Sequence, residues 1–155
     1  MKKKEKKIII TLILVLIVID QILKIVLYNT SFKIMAESGW GIGIINNTKT
    51  ENNLVYILIS ILAVMALVRY IKSNNTFIKM DSRVILSFSI AGAISNAIDR
   101  VWNGGTVNYI NIPNFSALNL SYIYFIITWI GMAVILTKYT SDRIKEKKER
   151  KWKRN

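Results

Sequence analysis

The amino-acid sequence predicts an all-α integral membrane protein, built as a four-transmembrane-helix bundle. Three observations predict it. Apolar residues fill 52% of the 155 positions, and the mean hydropathy is +0.35, high for a soluble chain of this size. These residues gather in four long runs. Lys and Arg are concentrated outside the runs, on alternate connecting segments.

The first span covers about 8–28 and is interrupted only by Asp20, Gln21 and Lys24. The second covers about 54–71, the third 84–102 and the fourth 118–136. Each is long enough to cross roughly 30 Å of hydrocarbon at about 1.5 Å per residue. The single proline, Pro113, falls between runs. The whole of 1–155 therefore reads as one membrane domain with basic tails at 1–7 and 138–155. The N-terminal Lys-rich segment before an apolar run has a secretory signal peptide as its alternative reading. Against it, the run continues past Asp20 to Tyr28 and no small-residue cleavage site follows.

Charge sets the expected orientation. The N-terminal tail holds five Lys, and the tail from Lys138 onward holds nine Lys or Arg. The segment between spans two and three carries Lys72, Lys79 and Arg83. The first outer segment has only Lys33 and Lys49, and the second has no Lys or Arg. Both termini are thus expected in the cytoplasm, in a multi-pass arrangement in the membrane. The net charge of +13 would suit nucleic acid. Its placement instead favours topology anchors that touch anionic membrane lipid, so no nucleic-acid partner is expected. Nucleic-acid binding by 145–154 is the minor alternative.

The chain has no Cys and no His. That excludes thiol chemistry, Ser-His and Cys-His nucleophiles and the usual zinc ligands, so no metal or cofactor is expected. Any catalysis would fall to carboxylates, Lys, Ser, Thr or Tyr, and there are only nine acids.

Ionisable residues inside a span cost roughly 2.5–3.5 kcal/mol each, so they require a reason. Asp20 and Lys24 lie four apart on one helix face, which suits an ion pair. Asn96, Asp99 and Arg100 lie near the outer end of span three, with Gly92 one turn below to allow close helix approach. Asn119, Ser121 and Tyr122 open span four, and the outer loops supply Glu37 and Asn108. All converge on one depth. The plain structural reading is two satisfied pairs, Asp20 with Lys24 and Asp99 with Arg100. Trp40 and Trp102 fall at the same level, as interfacial anchors do. The segment Glu37-Ser38-Gly39-Trp40-Gly41-Ile42-Gly43 is glycine-rich, but no Lys-Ser/Thr follows to make it a phosphate loop.

These residues resemble the lipoprotein signal peptidases, or signal peptidase II, over nearly the whole chain. Asp20-Gln21-x-x-Lys24 looks like the family's first-span motif. Gly92-Ala93-x-x-Asn96-x-x-Asp99-Arg100 looks like its third-span motif and is the most specific match. Gly104-x-x-Val107-Asn108-Tyr109-Ile110 and Leu118-Asn119-Leu120-Ser121-Tyr122 resemble the next two. The resemblance implies a four-helix bundle with a small extracytoplasmic cradle and metal-free aspartic proteolysis at the outer membrane face. The implied partner is a prolipoprotein with a lipidated signal peptide, and Asn96, Arg100 and Asn119 would line its groove.

The departures bear on activity. The resemblance places the two catalytic aspartates at positions held here by Asn108 and Tyr122. Glu37 stands where the Asn of an Asn-x-Gly pattern is implied, with Gly39 as its glycine. An aspartic dyad shares one proton between two carboxyls. Asn cannot titrate, and Tyr, with a reference pKa near 10, donates at neutral pH but is a poor base. The expectation is a non-catalytic homologue that binds a lipidated signal peptide or a related membrane peptide. An active endopeptidase with Glu37 as base, and a structural or partner-binding membrane protein, are the alternatives.

Overall fold

The structure is a computed structural model, which describes residues 3–29, 35–37, 51–72, 79–110, 112 and 117–152. The chain runs through α1 (Lys3–Asn29), β1 (Met35–Glu37), α2 (Glu51–Lys72), α3 (Met80–Asn103), β2 (Thr106–Asn108) and α4 (Leu120–Trp152). The four helices coincide with the four apolar runs. The helical backbone also continues into the charged tails at both ends of the chain. Among the described residues α1, α3 and α4 are each long and apolar enough to cross a membrane. At 22 residues α2 extends about 33 Å, the length of a span.

α3 is the central helix and packs on each of the other three. Buried residues make up 61% of its most apolar stretch, against 22% in α1 and 17% in α4. Its inward surface is small: Ser87, Ala91, Gly92 and Ser95 are buried. In lipid, small residues replace the hydrophobic effect as the route to close packing. Gly92 shows how close: a Cβ added there would sit 2.9 Å from the Ser121 carbonyl oxygen of α4.

α1 runs parallel to α3, because Glu5 meets Arg83, Gln21 meets Ser95 and Lys24 meets Asp99 in order. α4 runs antiparallel, with Thr128 bonded to the Ile85 carbonyl and Ser121 level with Gly92. Two apolar clusters flank α3. On one side Leu16, Ala91 and Tyr124 pack together, with the Phe88 and Tyr124 rings edge-to-face at 5.7 Å. On the other Ile71, Leu86 and Ile90 pack, and Met132 of α4 reaches them.

The outer surface is apolar and, beside the two apolar clusters, the interior holds many buried polar and charged groups, the reverse of a soluble bundle. On α1, Leu14 is 57% and Ile25 60% exposed, whereas Asp20 is 0% and Lys24 2% exposed. That inversion is stable only where the solvent is hydrocarbon.

The bundle has two distinct ends. At the basic end lie the N-terminal start of α1, the last turn of α2, the first turn of α3 and the far end of α4. There Arg83 donates to the last-turn carbonyl of Ile71 at 3.2 Å and to Glu5 at 3.1 Å, tying three helices. At the polar end α3 stops at Gly104, whose φ of 70° is the left-handed conformation that glycine adopts without strain. The chain then turns back as β2. β1 pairs antiparallel with β2, with Met35 opposite Asn108 and Glu37 opposite Thr106.

Candidate functional site

The polar end is organised around Lys24. An ammonium group has three hydrogens. Lys24 Nζ directs them at Asp20 Oδ2 (2.6 Å), Asp99 Oδ2 (2.6 Å) and Asn96 Oδ1 (3.1 Å). All four residues are buried. The expected Asp20–Lys24 pair is therefore present, and among the described residues the ion pair of Asp99 is with Lys24 rather than with the expected Arg100. Consecutive helical residues point about 100° apart, and of the two it is Asp99 that meets Lys24 and Gln21 of α1. One lysine thus serves two carboxylates.

Hydroxyls and amides complete the cluster. Asp20 Oδ2 accepts from Ser95 Oγ and from Ser121 Oγ (2.8 Å). Among the described residues its other oxygen, Oδ1, is buried and meets no donor. Gln21 Nε2 donates to Ser95 Oγ (2.8 Å) and to Asp99 Oδ1 (2.9 Å). Asp99 Oδ2 also accepts from the Val107 backbone N–H at 3.2 Å, so this carboxylate pins β2 against α3. β2 is the strand that carries Asn108.

Asn119 forms the next layer. Its Nδ2 lies 3.0 Å from Asn96 Oδ1, 3.1 Å from the Val107 carbonyl and 2.9 Å from Asn108 Oδ1. Its Oδ1 accepts from the Tyr122 N–H at the start of α4. Asn119 therefore joins position 108 to the helix turn that carries position 122. Asn108 is 1% exposed, while Tyr122 is partly exposed. Tyr109 accepts from the Leu120 N–H at 3.1 Å. Burial, with Asp20 and Asp99 adding to it, pushes its phenol up to about 12 despite that bond. Tyr109 is thus a neutral hydroxyl at ordinary pH.

The arrangement narrows the chemistry. Ser95 and Ser121 are 0% exposed and their hydroxyls are held by Asp20, so neither is placed as a nucleophile. Lys24 is a fully bonded cation, which is no general base. The described residues contain no group of three or more metal-ligating side chains.

Asp20, Lys24, Asn96, Asp99, Asn108 and Asn119 are brought into one contiguous network. Arg100 is buried beside it, one residue on from Asp99. Glu37 enters through its backbone: it lies in β1, and strand alternation places its register position on the face of positions 106 and 108. Gly39, Trp40, Pro113 and the rest of the glycine-bearing loop lie outside the described residues. Trp102 is 78% exposed, as an interfacial anchor would be. Ser95 was not legible as a site residue. Its spacing of four from Asp99 put it on the α1-facing side of α3, and that was the available signal.

A family model described as signal peptidase (SPase) II matches residues 12–141. A lipoprotein signal peptidase of Bifidobacterium longum subsp. infantis is 34% identical over 85 residues, which is 51% of this chain and 46% of that protein. The match thus spans about half of the relative's length. The fold is that of two solved bacterial membrane enzymes. One superposes with a TM-score of 0.73 at 24% identity, covering 88% of this chain and 91% of its own. Another gives 0.70 at 22% identity, covering 84% and 92%. With the family model matched from the first span to the fourth and the bundle carrying its polar network at one end, the chain belongs to the signal peptidase II family.

Proposed function

We propose that this chain is a non-hydrolysing member of the family, which holds the lipidated signal peptide of a prolipoprotein, or a related membrane peptide, at the outer membrane face. The Lys and Arg distribution supports an orientation with the polar end outward and both termini in the cytoplasm. One observation carries the reading. Positions 108 and 122 are Asn and Tyr, and the two carboxylates described near them, Asp20 and Asp99, are buried against Lys24. Peptide hydrolysis by a dyad needs one carboxylate to deprotonate water and a second to protonate the carbonyl oxygen. Amide and phenol groups at these positions bind a peptide backbone through hydrogen bonds and leave it intact. Asn119, Asn96 and Arg100 are the proposed binding groups.

The scaffold around position 108 suits a carboxylate as well as an amide, because Asn119 donates to the oxygen that Asp would also present. This sets the test. Purified protein in detergent is mixed with a diacylglyceryl-modified prolipoprotein, and cleavage is read as a gel shift. The unmodified chain is expected to bind without cleaving, and the Asn108→Asp/Tyr122→Asp variant to cleave. Specific cleavage by the unmodified chain would overturn the reading.

A second reading has its own support. The β1–β2 register brings Glu37 to the strand that carries Asn108. A carboxylate there, with Tyr122 as proton donor, would make an unusual acid–base pair. Activity in the unmodified chain that is abolished by Glu37→Gln would establish it.

A further inference from the structure

α2 packs chiefly on α3, through Val64, Leu67, Val68 and Ile71. A second row of residues runs along a different face of this helix. Leu58, Leu62, Met65, Arg69 and Lys72 follow one another at spacings of 4, 3, 4 and 3, which keeps them on one side. Leu58 is 59%, Leu62 61% and Met65 55% exposed, and Arg69 and Lys72 are exposed as well. The row is thus apolar for three positions and cationic for the last two. From Leu58 to Arg69 it covers about 16 Å along the helix axis, close to half of a hydrocarbon core of roughly 30 Å. Its apolar part therefore has the length of one leaflet, with both cations at the headgroup level of the basic end.

These two cations differ from their buried neighbour. Arg83 donates to Glu5 and to the Ile71 carbonyl, so it has its acid and already caps α2. Among the described residues no acid forms an ion pair with Arg69 or Lys72: Glu5 is held by Arg83, and Asp81 in the first turn of α3 pairs with neither. A cavity of about 920 Å³ opens beside them, and its described lining, which includes Val64, Met65, Val68, Arg69 and Lys72, belongs to α2.

We infer that this face of α2 binds one anionic phospholipid, whose phosphate lies between Arg69 and Lys72 and whose acyl chain follows Met65, Leu62 and Leu58. An amphiphile with an anionic head and an apolar tail of one leaflet's length reproduces the order of the row. A guanidinium is a fork that takes two phosphate oxygens, and the ammonium three residues on, one turn away, adds a point charge. A zwitterionic head brings its own cation to the same place, which offsets the attraction. A second copy of the chain fits less well. Copies share one orientation in the membrane, so a symmetric pair on this row would set Arg69 and Lys72 against like charges. At the far end of α4, by contrast, the cations are interleaved with Asp142, Glu146 and Glu149.

The test uses the full chain in neutral detergent, titrated with phosphatidylglycerol or with phosphatidylcholine of the same chain length. Bound lipid is counted by native mass spectrometry. The first phosphatidylglycerol is expected to bind about tenfold more tightly than the first phosphatidylcholine. Arg69→Gln/Lys72→Gln is expected to reduce that preference about fivefold or more. Thermal unfolding of this variant in lipid-free detergent is expected to stay unchanged, because both side chains are exposed. Lys147→Gln/Arg150→Gln, at the far end of α4, is expected to leave the first phosphatidylglycerol in place. Equal binding of the two lipids by the natural chain would overturn the inference, as would an undiminished preference in Arg69→Gln/Lys72→Gln. Loss of the preference in the α4 variant alone would assign the lipid to that end of α4 instead. A dimer that excludes phosphatidylglycerol would assign the row to a second copy. None of these readouts depends on peptide binding or hydrolysis.

Discussion

At the polar end, Lys24 is 2% exposed and meets two carboxylates at 2.6 Å. At the far end of α4, Glu146 meets Arg143 and Arg150 at 3.9 Å with about half of its side chain, 54%, in solvent. Both regions pair acids with bases at helical spacing. Only one of them has lost its water. Exposed pairs are worth about 0–1 kcal/mol, because solvent serves each partner almost as well. A buried charge has no such alternative, so its network must be complete. The same sequence motif, an acid followed four residues later by a base, is structural at one end and nearly silent at the other.

The sharpest way to break this comparison is Lys24→Met. It leaves Asp20 and Asp99 facing one another in the interior. The expected loss is about 3–5 kcal/mol, seen as failure to accumulate or as early unfolding in a denaturant titration. A loss below about 1 kcal/mol would mean that the cluster is hydrated after all. Next in size is Gly92→Ala, which puts a methyl group 2.9 Å from the Ser121 carbonyl. Separating α3 from α4 there is expected to cost about 1–3 kcal/mol and to loosen the Ser121 contact with Asp20. Wild-type thermal stability in this variant would show that the helices have room.

Tyr109 gives a pH test of the same end. Its folded value, about 12, lies above the unfolded value of 10.0, so the fold favours the neutral phenol. Its contribution is fully present below pH 10 and is lost as pH rises through 12. Thermal melts between these limits should fall more steeply for the natural chain than for Tyr109→Phe. Identical profiles would remove Tyr109 from the network. The smallest effect is expected at the far end of α4: Glu146→Gln should change stability by less than about 0.5 kcal/mol. A larger change would mean that the exposed pairs are structural.

The fold and much of the polar network were readable before any coordinates. Four apolar runs gave four helices, and Asp20, Lys24, Asn96, Asp99 and Asn119 were expected at one depth and meet there. The pairing among them was not readable. Asp99 is adjacent to Arg100 in sequence yet is joined to Lys24, and the reason is rotational position around α3 relative to α1. Ser95 escaped notice because a serine in a span has many plain uses, such as the bond from Ser87 to the Arg83 carbonyl. The central place of α3 was legible only faintly, in its small residues.

By itself the sequence determined which segments are apolar enough to enter a membrane, which end is basic, and that positions 108 and 122 hold no carboxylate. Each of these follows from the chemistry of a residue and its solvent, which needs no partner. Only the tertiary structure decided that one lysine holds two acids, that Asp99 fixes the strand bearing Asn108, and that α4 leaves the bundle as an exposed arm. The network also depends on groups far apart in sequence, such as Lys24 with Asn96, 72 residues apart, and Ser121 with Asp20, 101 residues apart. Such pairs meet only once the helices have chosen their neighbours, rotations and relative heights. Those choices are set by packing summed over whole helix faces, which no local pattern encodes.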